Sequence, residues 1–539
     1  MRRKKSKDAN ETKVLVVGSG MSGLTSAIYL LKAGYDVVLI EKNDKSGGLL
    51  QSFVRDGFTF DAGARAILNS GIIHPMLNQL DIELELLESE VSVGVEDTLI
   101  GITSKDSLKD YHQMLKRLYP ESKEDIDRII AVIKDVMDDM EVLYGMDNPS
   151  FRDVKKDRKY LFRELLPWLP KFLGTMRHIG KMTEPIEDFM AQMTSNQSLI
   201  DIIAQHFFKK TPMFFAMGYF YVYLDYIYPK GGTGNLADEI YKKYLELGGK
   251  IKFNTEITQV DPASRKITDI DGNVYGYDKL IWSGDLKTLY RRLELNDVNE
   301  KDARDIREFA DVLETKRGGD SILSLFTAVD LPVSYFTQIA NGHVFYTPSR
   351  EGLGEVHRSK VDDMVENFDN FSKEEVLDWL DDYCQLNTYE ISIPAVRDPS
   401  LAPEGKTGLV ISFLFEYELI KKIQEAGWYE SFKAAVEDRM IKVLSDSIYP
   451  DLKDKVLFKF SSTPLSIEKQ VGSSEGGITG WSFETEVPVV NELKKIAKSV
   501  KTPIPSVLQA GQWAYSPAGI PTAILTGWYA AQHIIKNKK

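Results

Sequence analysis

Short apolar runs that end in glycine or in a charged residue punctuate the chain. Residues 14–17, Val-Leu-Val-Val, run straight into Gly18-Ser19-Gly20-Met21-Ser22-Gly23, and a helical pattern follows to Leu31. That order predicts a strand, a tight turn and a helix. A second apolar strand over 36–40 ends on Glu41, and Asp56-Gly57 between two alternating apolar runs predicts a hairpin. Residues 228–238 open a helix that Gly248-Gly249 ends, and 250–260 reads as one strand. Further strands are predicted at 277–285, 322–328, 408–415, 456–460 and from 507, with a last helix from near Pro521. Between 81 and 229 the pattern is helical. Two stretches there are unusually greasy: 160–173 mixes aromatics, leucines and cations, and 207–221 is rich in aromatics and Met beside Lys209 and Lys210. Each reads either as helical core or as the wall of a substrate tunnel, with the Lys209–Lys210 end as a lip at a membrane interface.

The first strand, turn and helix point to a bound dinucleotide. Gly18 permits the turn, Gly20 lets a pyrophosphate come against the backbone, and Gly23 lets the helix pack on the strand. Unpaired N–H groups at the helix start, Met21 and Ser22 among them, and the positive dipole end suit phosphate. Glu41 is placed to accept hydrogen bonds from an adenosine ribose and would repel a 2′-phosphate; Lys42 is counted with it. The chain then departs from a plain nicotinamide-binding unit, making a glycine-rich crossing at Gly47-Gly48-Leu49 and a hairpin that leads to Asp61-Ala62-Gly63-Ala64-Arg65.

Here the sequence resembles the flavin amine oxidase superfamily, and within it the phytoene desaturase, carotenoid isomerase and retinol saturase family. The blocks that carry the resemblance stand in order: the fingerprint with Glu41, the Gly48–Arg65 crossing, Gly231-Gly232-Thr233-Gly234, Asp398-Pro399-Ser400-Leu401-Ala402-Pro403, Thr463-Pro464 ahead of Gly476-Gly477, and the Gly511–Ala523 closing motif. The resemblance implies non-covalent FAD as cofactor. It implies that Gly47, Gly48, Leu49 and Arg65 line it, that Ile257 contacts the adenine through its backbone, and that Gly511, Gly519, Ile520 and Thr522 close the site. A helix starting there offers its dipole to the flavin end that becomes anionic on reduction. The chain departs from the family in having Leu49 where desaturases commonly carry arginine, in Arg65 itself, and in the Ala514–Gly519 loop. These departures leave the substrate open.

Composition narrows the classes. A chain of 539 residues exceeds one hydrophobic core, and a net charge of −13 argues against nucleic acid. One cysteine, Cys384, and seven scattered histidines give no metal-ligand spacing. The basic start, Met1 to Lys7, is followed by polar residues and not by an apolar signal core, and no apolar run reaches the ~20 residues needed to span a bilayer. The expected compartment is the cytoplasm, with peripheral contact on the inner face of the membrane.

The expected architecture is α/β: a discontinuous Rossmann-like FAD domain (12–80, 230–290, 503–539) interleaved with a mixed α+β substrate domain (81–229, a helical membrane-facing region, and 291–502). The expected function is an FAD-dependent oxidoreductase acting on carbon–carbon bonds of a hydrophobic isoprenoid or polyene lipid. The alternatives are a redox-neutral double-bond isomerase, the same chemistry on an unsaturated fatty acid, and a non-catalytic flavin- and lipid-binding module. Arg65 is the candidate catalytic residue, as an electrostatic partner of reduced flavin or of a substrate carboxylate; a structural ion pair is its other reading. With one dinucleotide fingerprint, the second half-reaction calls for an external quinone, oxygen or reductase.

Overall fold

The computed structural model describes residues 12–537, without the side chains of 355–358. The basic stretch Met1–Lys7 lies outside the described residues. The chain divides into two compact units. The first takes the described residues up to Gln51, then Gly234–Gly319, and those from Ile467 on; the second takes Ser52–Thr233 and Asp320–Ser466.

In the first unit β1 (Lys13–Val17) leads into α1 (Met21–Lys32) and β2 (Asp36–Ile40). Much later come α2 (Asn235–Glu246), β3 (Lys250–Lys252), β4 (Lys279–Trp282), β5 (Val507–Gln509) and α3 (Ile520–Lys536). The five strands form one parallel sheet in the order β3-β2-β1-β4-β5. That is the doubly wound order, in which ligands bind beyond the carboxyl ends of the strands. Val14, Leu15 and Val16 are all buried, as a parallel strand covered on both faces requires.

The run expected as one strand over 250–260 is two. Asn254 takes a left-handed turn (φ +50°) and its N–H bonds Asn43 O. The chain thereby leaves the edge of the parallel sheet, and Ile257–Asp261 pairs instead in a separate three-stranded antiparallel sheet. The polar run Asn254-Thr255-Glu256 interrupts the apolar alternation at this break, and the single-strand reading runs across it.

The second unit is built on a seven-stranded sheet. Its order is Val456–Ser462, Ser321–Val329, Thr407–Phe415, Tyr389–Ser392, His343–Thr347, Val91–Val95 and Thr98–Ile102, antiparallel except where His343–Thr347 meets Val91–Val95. The strands expected near 322, 408 and 456 are all in it.

Three stretches group differently from the sequence reading. Residues 52–80 group with the second unit, because the hairpin Ser52–Arg55/Phe58–Asp61 buries Phe58 and Phe60 against Phe326 and Val410 of the large sheet. Residues 291–319 and 467–502 group with the first, where Ile306, Leu313 and Trp481 pack with Leu280, Trp282 and Tyr290. Among the described residues no helix is long and apolar enough to cross a membrane.

Candidate functional site

The first unit carries a backbone cradle at the carboxyl end of β1. Gly18 turns with φ +94°, its N–H held by Ile40 O at 2.8 Å. A Cβ on Gly23 would lie 1.9 Å from Gly18 O, so α1 can lie this close to the turn only with glycine there. Gly47 N–H donates to Ser19 O at 2.9 Å, and Gly48 (φ +61°) crosses Gly20 so closely that a Cβ on it would sit 3.2 Å from Gly20 Cα. Leu49 lies in the turn that Leu50 N–H closes onto Gly47 O. Gly20 is the N-cap of α1, with no side-chain cap and no acidic residue in the first turn. The opening N–H groups, those of Met21, Ser22 and Gly23, have no partner inside the helix by its geometry.

Glu41 is buried at the end of β2. Its Oε2 accepts Ser19 N–H at 2.8 Å and Ser19 Oγ–H at 2.7 Å, and its Oε1 accepts Asn43 N–H at 3.0 Å. The carboxylate therefore fixes the glycine turn. Burial lowers the Lys42 ammonium, and Glu256 and Glu41 oppose that shift. Ile257 is buried, and its carbonyl accepts the Arg292 guanidinium.

At the far end of the chain Gly511 (φ +97°) donates its N–H to Thr526 Oγ1 at 2.9 Å, and a Cβ on it would meet Ser22 Oγ at 2.8 Å. Gly519 caps α3, its N–H bonding Thr522 Oγ1 at 2.9 Å, with Ile520 and Pro521 opening the helix and no acidic residue in its first turn. Two helix starts without acid, a glycine-lined crossing and an acidic strand end fit the pyrophosphate and ribose of FAD.

Arg65 belongs to the second unit. Its Nη1 donates to Glu390 Oε2 at 3.1 Å and its Nη2 to Ser324 Oγ at 2.8 Å, leaving Nε without a partner. Its side chain is 3% exposed. The geometry is that of an ion pair buried at the arginine end, with the Glu390 side chain 27% exposed. His343 Nε2 meets the other oxygen of Glu390 at 3.0 Å. Burial alone would raise the Glu390 carboxyl; the Arg65 guanidinium and the His343 hydrogen bond outweigh it and hold it at about 2. Arg397 stands next to this pair, bonding Arg65 O and Ser89 Oγ and lying 4.0 Å over the Tyr228 ring. Tyr228 in turn donates to Asp61, which also accepts from Thr233 and Ser52. Glu390, His343, Asp61 and Arg397 were not singled out by sequence reasoning. Asp61 and Arg397 stand inside or beside the quoted blocks, whereas nothing near Glu390 or His343 marks them.

A cavity of about 60 Å³ lies in the second unit, lined chiefly by aromatic and aliphatic residues, among them Tyr111, Phe207, Tyr219, Phe220, Tyr223 and Phe345. The greasy 207–221 stretch thus supplies both core and cavity wall. At its Lys209–Lys210 end Phe207 is buried, Lys209 pairs with Glu416 at 3.1 Å and Lys210 with Asp188 at 3.2 Å.

His206 also lines the cavity, its Nε2 buried without a partner among the described residues, and burial pushes it down to about 4. Between that value and the unfolded value near 6.5 the unfolded chain binds the extra proton. Stability therefore falls as pH drops from about 6.5 to about 4, on the order of 3 kcal/mol for this one group. Asp225, raised by burial to about 6, works in the opposite direction. The difference between wild type and His206→Leu in urea midpoints across this pH range isolates the histidine, and the variant is expected to be the less acid-sensitive of the two.

Comparison with known proteins agrees with this geometry. The family described as flavin containing amine oxidoreductase matches residues 21–315. A phytoene desaturase (lycopene-forming) from Pseudescherichia vulneris is 22% identical, over 97% of this chain and 99% of its own length. An inactive all-trans-retinol 13,14-reductase from Danio rerio is 22% identical over 97% of this chain and 85% of its own. Among solved structures, an oxidoreductase from Methanosarcina mazei shares the fold with a TM-score of 0.62 and 16% identity, over 98% of this chain and 100% of that one. The chain belongs to the flavin containing amine oxidoreductase family and is an FAD-dependent oxidoreductase.

Proposed function

We propose that this oxidoreductase adds or removes hydrogen at a carbon–carbon bond of a hydrophobic isoprenoid or polyene lipid. The observation that carries this reading is the cavity of the second unit. Among the described residues no Lys, Arg, Asp or Glu lines it, and its walls are mostly aromatic and aliphatic side chains, with Thr347, Thr388 and a neutral His206. Such a lining favours an apolar group, since each buried methylene contributes about 0.8 kcal/mol and an unpaired charge there would be strongly disfavoured, and its volume of about 60 Å³ would take a few carbons of a longer chain. The names of the two relatives, for phytoene and for retinol, point the same way.

FAD, when bound, supplies hydride acceptance or donation at a carbon centre. The chain's own part is to hold the cofactor on the α1 and α3 starts, to keep the substrate chain dry, and to present it without a charged neighbour in the cavity wall. Electrons would leave to, or arrive from, an external quinone, oxygen or a reductase. A fatty acid is the weaker reading, because the Arg65 side chain is 3% exposed and already has Glu390 as its counter-charge.

Mass spectrometry of lipid extracts from host cells with and without the gene tests the proposal. The expected result is a polyene pair differing by one or more units of H2. A pair of equal mass and different retention would replace it with redox-neutral isomerisation. A change confined to fatty acids would overturn the substrate class.

A further inference from the structure

The second unit exposes an apolar stripe with nothing over it. Arg158–Tyr160, Leu161–Leu165 and Leu166–Ile179 form one continuous helical stretch, whose second piece is a π-helical turn. Phe162, Leu166, Leu169 and Leu173 recur along it about once per turn and are 62%, 47%, 42% and 51% exposed. The opposite side is anchored. Trp168 Nε1 donates to Val142 O at 2.6 Å and stacks on Phe172, Thr175 Oγ1 donates to Asp139 at 2.9 Å, and His178 Nδ1 meets the same carboxylate at 2.6 Å. The stripe is therefore held outward by a fixed helix. Four large apolar side chains in one row are not explained as scattered surface residues.

The charge around the stripe is opposite to that of the whole chain. Residues 155–181 hold eight Lys and Arg against two carboxylates, in a protein of net charge −13. Lys155, Arg158, Lys159, Arg163, Lys171 and Arg177 have no ion-pair partner among the described residues. An apolar row flanked by long-stemmed cations, too short and too charged to span, is the chemistry of a helix lying at a lipid surface. Anionic headgroups attract the flanking cations while the rest of the protein is repelled.

We propose that the 158–179 helix docks this protein on an anionic lipid bilayer, with Phe162, Leu166, Leu169 and Leu173 entering the headgroup boundary. The proposal stands on this helix and its charge, independently of which substrate is turned over.

Co-sedimentation of the purified holoprotein with phosphatidylcholine vesicles, with and without about 30 mol% phosphatidylglycerol, tests it. Wild type is expected to bind the anionic vesicles at least ~10-fold more tightly than the neutral ones, and to lose that preference as salt rises from 0.1 to about 1 M. Phe162→Glu with Leu166→Glu and Leu169→Glu is expected to abolish binding, and Lys159→Glu with Arg163→Glu and Lys171→Glu to remove the preference for anionic lipid. All six positions are exposed, and flavin absorbance with near-ultraviolet circular dichroism verifies the fold of each variant. Absence of vesicle binding by folded wild type, or undiminished binding by the apolar triple variant, would overturn the proposal. So would self-association of wild type that the apolar variant abolishes, without vesicle binding, since the stripe would then face a second copy of the chain.

Discussion

Gly20→Ala and Gly23→Ala are both expected to strip the protein of FAD, and only the second to destabilise it. The two glycines stand three residues apart in one turn, yet an added methyl meets different surroundings. At Gly23 the new Cβ would lie 1.9 Å from Gly18 O and 3.0 Å from Gly18 C. Gly18 cannot yield easily, because its left-handed φ is tied by the bond from its N–H to Ile40 O. Relief means moving α1 off the sheet, and α1 is wedged from its other side, where a Cβ on Gly527 would already lie 2.3 Å from Ser22 O. Overpacking of this kind costs about 1–3 kcal/mol or more. At Gly20 the new Cβ would find only Gly48 Cα, at 3.9 Å, an ordinary contact. The fold tolerates it, but the methyl stands where a pyrophosphate must reach the backbone. The ratio of flavin to protein absorbance in purified material should fall at least ~10-fold in both variants, whereas the urea midpoint compared in FAD-free preparations should drop in Gly23→Ala alone. Full flavin content in Gly20→Ala would remove the pyrophosphate from this turn.

The first unit is the more legible of the two because its signals are local. Strand, turn, helix, second strand and acidic end all fall between residues 13 and 41, and each is set by neighbours a few positions away. The closing motif at Gly511 and Gly519 is legible for the same reason. What the sequence hides is set by distant pairing. Nothing near Arg65 names its partner Glu390, 325 residues on. The hairpin at Asp56-Gly57 is plain, but its allegiance to the second unit comes from phenylalanines contributed by strands about 270 to 400 residues later. Aromatic stripes are ambiguous in a different way. The patterns at 160–173 and 207–221 look alike as strings, and only burial shows that one faces outward while the other lines a cavity.

Breaking the Arg65–Glu390 pair is expected to be the most destabilising change in the second unit. Glu390→Gln leaves the Arg65 guanidinium, 3% exposed, with neutral acceptors alone, Ser324 and the introduced amide oxygen, and no counter-charge. Removing one member of a buried ion pair costs about 3–5 kcal/mol. The pH dependence gives a second signature. The Glu390 carboxyl, held at about 2 in the folded protein and near 4.3 unfolded, contributes stability that is present above the unfolded value and lost as pH falls toward 2. The variant should lack that acid-dependent part. Replacing both ends with apolar residues, Arg65→Met with Glu390→Leu, removes both charges of the pair, at the expense of the Glu390 contact to His343 and its charge beside Arg397, and is expected to recover part of the loss, so that the double variant is more stable than either single one. It should also retain FAD and turn over within about tenfold of wild type, because an arginine that is 3% exposed and neutralised by Glu390 has little to offer the reaction. A double variant that folds and holds FAD yet loses a hundredfold or more in kcat would put Arg65 in contact with the chemistry, and the ion pair would then be the resting state of a catalytic residue.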